Sequence, residues 1–157
     1  MNLEVTQAAA LAAALGTAVV YGTDVFCAIV LRPALAAVDD GALVRVMGSV
    51  HRYGDRRMPV PGVLGILGAA TTVVLAIVSA QWGPAIAAGA ALLLLLAWLV
   101  LYMRVSAPIN RELTTAADNG QQLANGRALQ AKWDRIIGAR AILQGLALAA
   151  LCMALTS

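Results

Sequence analysis

The stretch His51-Arg52-Tyr53-Gly54-Asp55-Arg56-Arg57-Met58-Pro59 packs the chain's only histidine, three arginines, a tyrosine and an aspartate into nine positions. Apolar sequence flanks it on both sides. Histidine is the side chain whose ordinary titration falls near neutral pH, so His51 is the first candidate for moving a proton. The guanidiniums beside it suit an anion. An enzyme built from this chain is expected to place its site at or just beneath this stretch.

Two further groups sit where lipid would be expected. Asp24 lies in the first apolar segment, and a carboxylate near a helix centre costs roughly 2.5–3.5 kcal/mol on insertion scales. It should therefore face inward. Thr17, Tyr21 and Asp24 are spaced i, i+4, i+7 and share a helix face. Their alternatives are helix glue, with Tyr21 as local partner, or a catalytic or proton-relay role. In the last apolar segment Trp133, Ile137, Arg140 and Gln144 fall at i, i+4, i+7, i+11. Two polar stripes at similar depth predict a pocket. The candidate catalytic residues are His51, Asp24 and Tyr21. Arg52, Arg57, Arg111, Trp133, Arg140 and Gln144 are the candidates for binding substrate.

The elements that must hold these groups follow from composition. The 157 residues, 61% hydrophobic and 12% charged, fit a single domain but not a water-soluble one, where about 25% of residues are charged. An integral membrane protein is expected. Apolar runs at about 8–31, 59–80, 84–102 and 136–155 each approach the roughly 20 residues that a spanning helix needs. The first is too long for a signal-peptide core and reads as a retained helix. Prolines open the second, and Gln81-Trp82-Gly83-Pro84 marks a tight turn with an interfacial tryptophan. Gly62, Gly65 and Gly68 recur along the second run and allow close helix approach. The fold expected is an all-α, four-transmembrane-helix bundle with amphipathic cytoplasmic connecting helices, one domain over residues 1–157.

All eleven Lys and Arg residues lie between Arg32 and Arg140. The positive-inside rule then puts both long connections in the cytoplasm and both termini outside, in a bacterial cytoplasmic membrane. Within the first connection, Leu43, Val46, Met47 and Val50 follow Asp39-Asp40-Gly41 at i, i+3, i+4, i+7, the pattern of an amphipathic helix. Arg45, Ser49 and Arg52 take its other side, and His51 borders the buried stripe. In the third connection Ser106 to Glu112 precede two turn signals, Asn119-Gly120 and Asn125-Gly126. The basic residues report topology, so a nucleic-acid partner is not expected.

No phosphate loop, paired-histidine or Cys-x-x-Cys motif, or nucleophile elbow is present. Cys27 and Cys152 belong at different depths, too far apart for a disulfide. No cofactor is expected. Haem on His51, or copper held by His51 with Met47, Met58 or Met103, stays open beside the commoner reading of methionine as packing.

Arg32-Pro33-Ala34-Leu35, the Pro108-Ile109-Asn110 triplet, and Trp133 with Arg140 seven residues later resemble the anthrone oxygenase-like family of small four-helix membrane proteins. The resemblance covers nearly the whole chain, and it adds Asn110 to the binding candidates. Where the family often has an asparagine between that tryptophan and arginine, this chain has Ile137. The resemblance implies secondary metabolism without an obvious bound cofactor, by enzymes that either oxidise anthrones or use nitrite to form a diazo group from an amine.

Three functions are therefore weighed. Nitrite-dependent nitrosation needs cations to hold nitrite and a proton donor matched to neutral pH, which His51 with Arg52, Arg56, Arg57, Arg111 and Arg140 would supply. Cofactor-free oxygenation of an anthrone-like phenol by dioxygen needs a base, again His51, and a flat apolar slot. One Phe, three Tyr and three Trp are a lean lining for such a slot, which favours nitrite and an amine. A non-catalytic assembly or transport accessory is the third, with a homo-oligomer left open.

Overall fold

The computed structural model describes residues 3–156. It is all-helical among those residues: α1 Leu3–Phe26, α2 Arg32–Ala36, α3 Asp40–Arg57, α4 Pro59–Val78, α5 Trp82–Leu101, α6 Ala107–Asp118 and α7 Gly126–Thr156. Four stretches are long and apolar enough to cross a membrane, Glu4–Ala36, Pro59–Val78, Trp82–Asp118 and Gly126–Thr156. The third and fourth run well past the expected 84–102 and 136–155. The polar ends of these helices continue beyond the apolar run, and on the fourth the helix begins beside Arg127, where the sequence reads as helix leading into that run.

In the bundle α1 packs on α4, α4 on α5, α5 on α7, and α7 back on α1. The Gln7 side chain donates to the Leu155 carbonyl at 3.4 Å, tying one end of the bundle. At the other end α3 packs on α6. Asp39 caps α3, its carboxylate accepting from the Ala42 N–H at 2.8 Å, which holds that carboxyl below its ordinary range. Arg127 at the start of α7 reaches Asp40 at 2.6 Å and the Val38 carbonyl at 2.7 Å, pinning this end of α3.

The α3 stripe is turned from its expected position. Leu43, Val44, Met47, Gly48 and His51 are buried, whereas Val46 and Val50 are exposed. Gly48 decides this. A side chain there would meet the Leu113 carbonyl of α6 at 2.6 Å, so α3 turns its smallest residue to α6 and carries His51 inward. The turn between α4 and α5 is also shifted, to Ser79–Gln81, with Ala80 at φ 56°. Pro84 sits inside the first turn of α5, where its missing N–H breaks no helical bond.

Two widened turns break the long helices. Cys27–Leu31 and Tyr102–Ser106 are π-helical, closed by Arg32 N–H to the Cys27 carbonyl and Ala107 N–H to the Tyr102 carbonyl. A proline follows each, Pro33 and Pro108. Proline lacks an N–H and crowds the carbonyl four residues back, and one extra residue in the preceding turn relieves both.

Small residues set the α1–α4 distance. A Cβ on Gly68 would lie 2.9 Å from the Cβ of Ala13, and one on Gly16 would lie 2.6 Å from the Pro61 carbonyl oxygen. Gly68→Leu is expected to cost about 1–3 kcal/mol by overpacking, read as a lowered melting temperature in detergent. Gly89→Leu, on a glycine with open space around it, should melt like the parent.

Candidate active site

Where the α3–α6 pair meets the bundle, the helices enclose a cavity of about 360 Å³. That lies within the roughly 300–1,000 Å³ typical of small-molecule pockets. Asp24 and Cys27 come from α1 and its π turn, and Met47, His51 and Asp55 from α3. Met58 and α4 supply the next wall, Trp98 and Tyr102 the one after, and Asn110, Trp133 and Arg140 close it. The lining is mostly apolar, interrupted by a few polar side chains.

One polar cluster is fully built. Arg140 grips Asp24 through two bonds, Nη2 to Oδ1 at 2.7 Å and Nε to Oδ2 at 3.2 Å. Its Nη1 donates to Ser106 Oγ at 2.7 Å, and Trp98 Nε1 donates to Asp24 Oδ2 at 3.2 Å. The guanidinium carbon lies 5.6–5.8 Å from the rings of Trp98, Tyr102 and Trp133, within cation–π range. The arginine's own bonds occupy three of the five guanidinium N–H groups. The π turn delivers Ser106, so the widened turn contributes directly to the cluster.

A second cluster centres on Asp55. Its Oδ1 accepts from Tyr102 Oη and from Asn110 Nδ2, each at 2.9 Å. This fixes the asparagine amide so that Oδ1 is left without a partner. His51 packs against Trp133 with ring centroids 5.6 Å apart. His51 Nε2 and Trp133 Nε1 are likewise buried and unpartnered. Buried polar atoms normally have partners, and these three belong to residues that line one cavity. A bound molecule carrying oxygen and hydroxyl groups would satisfy them.

Burial pushes the His51 pKa from 6.5 down to about 4, with Asp55 opposing and Arg140 adding to the effect. The imidazole is neutral at physiological pH. It can accept a proton there but cannot be the neutral-pH acid that the sequence suggested, because the apolar wall penalises its charged form.

Of the candidates, His51, Asp24, Asn110, Trp133 and Arg140 line the cavity, and the others do not. Tyr21 lies against Gly145 at the α1–α7 contact. Arg52 pairs with Asp118. Arg57 stacks over Tyr53 at 4.9 Å, and Arg111 belongs to a separate shallow groove with Glu112 and Gln121. Gln144 is buried without a partner but lies outside the cavity lining. The arginines sit on helix faces turned away from the cavity, where Arg52 meets Asp118 and Arg57 meets Tyr53. Trp98, Tyr102 and Ser106 were missed; with Asn110 they form a stripe at four-residue spacing that the π turn keeps on one face. Together with Trp133 it places three aromatic rings on the cavity wall despite the lean total.

Among the described residues no three His, Cys, Asp or Glu side chains form a metal cluster. The cavity does gather His51 with Met47, Met58, Met103 and Cys27, donors of the kind that soft copper(I) prefers. Of the Pro108-Ile109-Asn110 triplet only Asn110 reaches this cavity, where it joins Trp133 and Arg140 on the wall, while Pro108 lines the separate groove. No family model, curated protein or solved structure matches the chain.

Proposed function

We propose that this chain is an integral membrane enzyme that oxygenates an enolisable, anthrone-like phenol with dioxygen and no bound cofactor. Its cavity would lie near the cytoplasmic face of a bacterial cytoplasmic membrane, the side to which the basic residues are confined. The carrying observation is the neutral, unpartnered imidazole of His51 in an apolar, aromatic-walled cavity.

In this chemistry His51 takes a proton from the acidic ring CH₂ of the substrate, leaving an enolate. The enolate gives an electron to dioxygen, and the radical pair combines into a C–O bond. The peroxide so formed takes back the proton from His51. Loss of the second ring C–H proton with O–O cleavage releases one water and leaves a ketone. One dioxygen is consumed for each CH₂ converted to C=O. Proton transfer inside the cavity makes an imidazolium–enolate pair, whose mutual attraction offsets the burial that disfavours a lone charged imidazole. The Trp133 N–H and the remaining Arg140 N–H groups suit the enolate oxygen.

Nitrosation has less support. It calls for unpaired cations and an acid near neutrality, whereas Arg140 is held by Asp24, Arg52 by Asp118, and His51 is neutral. Purified protein given a hydroxyanthrone and isotopically labelled dioxygen should yield quinone with label in the new carbonyl, one dioxygen per quinone. Unlabelled product, or a rate equal to buffer alone, overturns the proposal. Consumption of nitrite with an amine would turn it to nitrosation.

A further inference from the structure

The cavity meets its surroundings at a mouth framed by residues of one character. Of the lining residues, Val50, Asp55, Pro59, Val63 and Met103 are exposed. Four of the five are apolar. Val63 is 52% and Met103 59% exposed, which is unfavourable in water but ordinary against lipid tails. Pro59 and Val63 stand at the start of α4 and Met103 just past the end of α5, inside segments apolar enough to span a membrane. Val63 lies about 6 Å along the helix from Pro59 at 1.5 Å per residue. Gly62, between them and inside the wall, has only the Trp98 ring within 4 Å of where a side chain would begin. The gap is thus floored by a missing side chain. Asp55 lies on the α3 side of the mouth, outside the apolar spans. From lipid side to water side the mouth therefore passes from Val63 and Met103 to a carboxylate.

We propose that substrate reaches His51 sideways from the bilayer, through the gap between the start of α4 and the end of α5. This rests on the membrane placement proposed above and names the substrate class more closely. The substrate is an uncharged amphiphile that dissolves in lipid, its ring system among the tails and its hydroxyl at headgroup level. It slides in with the hydroxyl toward Asp55 and the rings toward Trp98. A molecule carrying a fixed charge stays in water and does not reach the mouth.

The test uses the full chain in vesicles, in a Trp82→Phe background so that fluorescence reports Trp98 and Trp133. The probes are a neutral hydroxyanthrone and its sulfonated analogue, which lipid excludes. The neutral probe should quench, with an association rate that follows its mole fraction in lipid rather than its concentration in water. Val63→Phe and Met103→Phe should each slow association at least tenfold, while Val60→Phe, also exposed but off the mouth, should not. The sulfonated probe should neither quench nor compete. Equal binding of the sulfonated probe, or unaltered rates in both plugged variants, overturns the lateral route. Quenching that obeys the route without turnover leaves the route standing and removes the oxygenase. No quenching by either probe removes both.

Discussion

His51→Ala is expected to lower turnover of a hydroxyanthrone by roughly 10²–10⁴-fold, the usual contribution of a positioned general base. Binding, read by tryptophan quenching, should change far less. The pH profile separates this base from any surface histidine. The base form is the neutral imidazole, and burial holds its pKa at about 4 rather than 6.5. The value of kcat/KM should therefore stay level from pH 8 to about pH 5 and fall only as the pH drops through about 4. A fall centred near 6.5 would mean that the ring is solvated, and the site as drawn would be wrong. Stability carries the same signature. Between 6.5 and about 4 the unfolded chain takes up a proton that the folded chain refuses, so stability declines as pH falls through that window. The loss approaches about 3 kcal/mol at its acid end. His51→Ala removes that proton uptake and should melt with a flatter pH dependence.

The bundle was readable in the sequence because apolar length is a one-dimensional property. Each run long enough to span a membrane announces itself without knowledge of its neighbours. The face of a helix is nearly as legible when large residues mark it, and Trp133, Ile137, Arg140 and Gln144 are all buried as their spacing requires. The face of α3 was harder. Two apolar stripes compete there, and Gly48, which carries no hydropathy signal, settles the choice through its contact with α6. Helical phase across the π turns was also hidden. The extra residue in Tyr102–Ser106 rotates the rest of that helix by about 100°. Ser106 thereby reaches Arg140, and Asn110 joins a wall that ideal helix geometry would not assign it.

Charge was the least legible quantity. Eleven basic residues can be counted, yet their use depends on which acids fold against them. Arg52 finds Asp118 and Arg127 finds Asp40 across long stretches of chain, and these pairings withdraw them from any site. The His51 segment likewise suggested a cationic cradle, but the helix presents only His51, Gly54, Asp55, Met58 and Pro59 of that segment to the cavity while its arginines point elsewhere. A run of residues close in sequence is distributed around a helix, and one face of it is all that a cavity can use.

Arg140→Met should be the most damaging substitution for folding. Both partners of the Asp24–Arg140 pair are almost fully buried, with side chains 4% and 7% exposed. Removing the guanidinium leaves Asp24 with only the Trp98 N–H, and breaking a buried pair from one side costs about 3–5 kcal/mol. Ser106 Oγ loses its donor in the same step. Asp24→Leu alone should be comparably destructive, since it strands a guanidinium among aromatic rings. The double variant Asp24→Leu/Arg140→Met is then expected to regain most of the lost stability, because the charges that needed each other are both gone. Melting temperatures of the four proteins form a cycle that isolates this coupling. Simple additivity of the two single losses would show that the pair is not coupled. Turnover separates structure from chemistry. If Arg140 stabilises an enolate oxygen, the double variant should fold and bind the hydroxyanthrone yet oxidise it at least tenfold more slowly. A double variant that melts like the parent and turns over at the parental rate would reduce the pair to a fastening between α1 and α7.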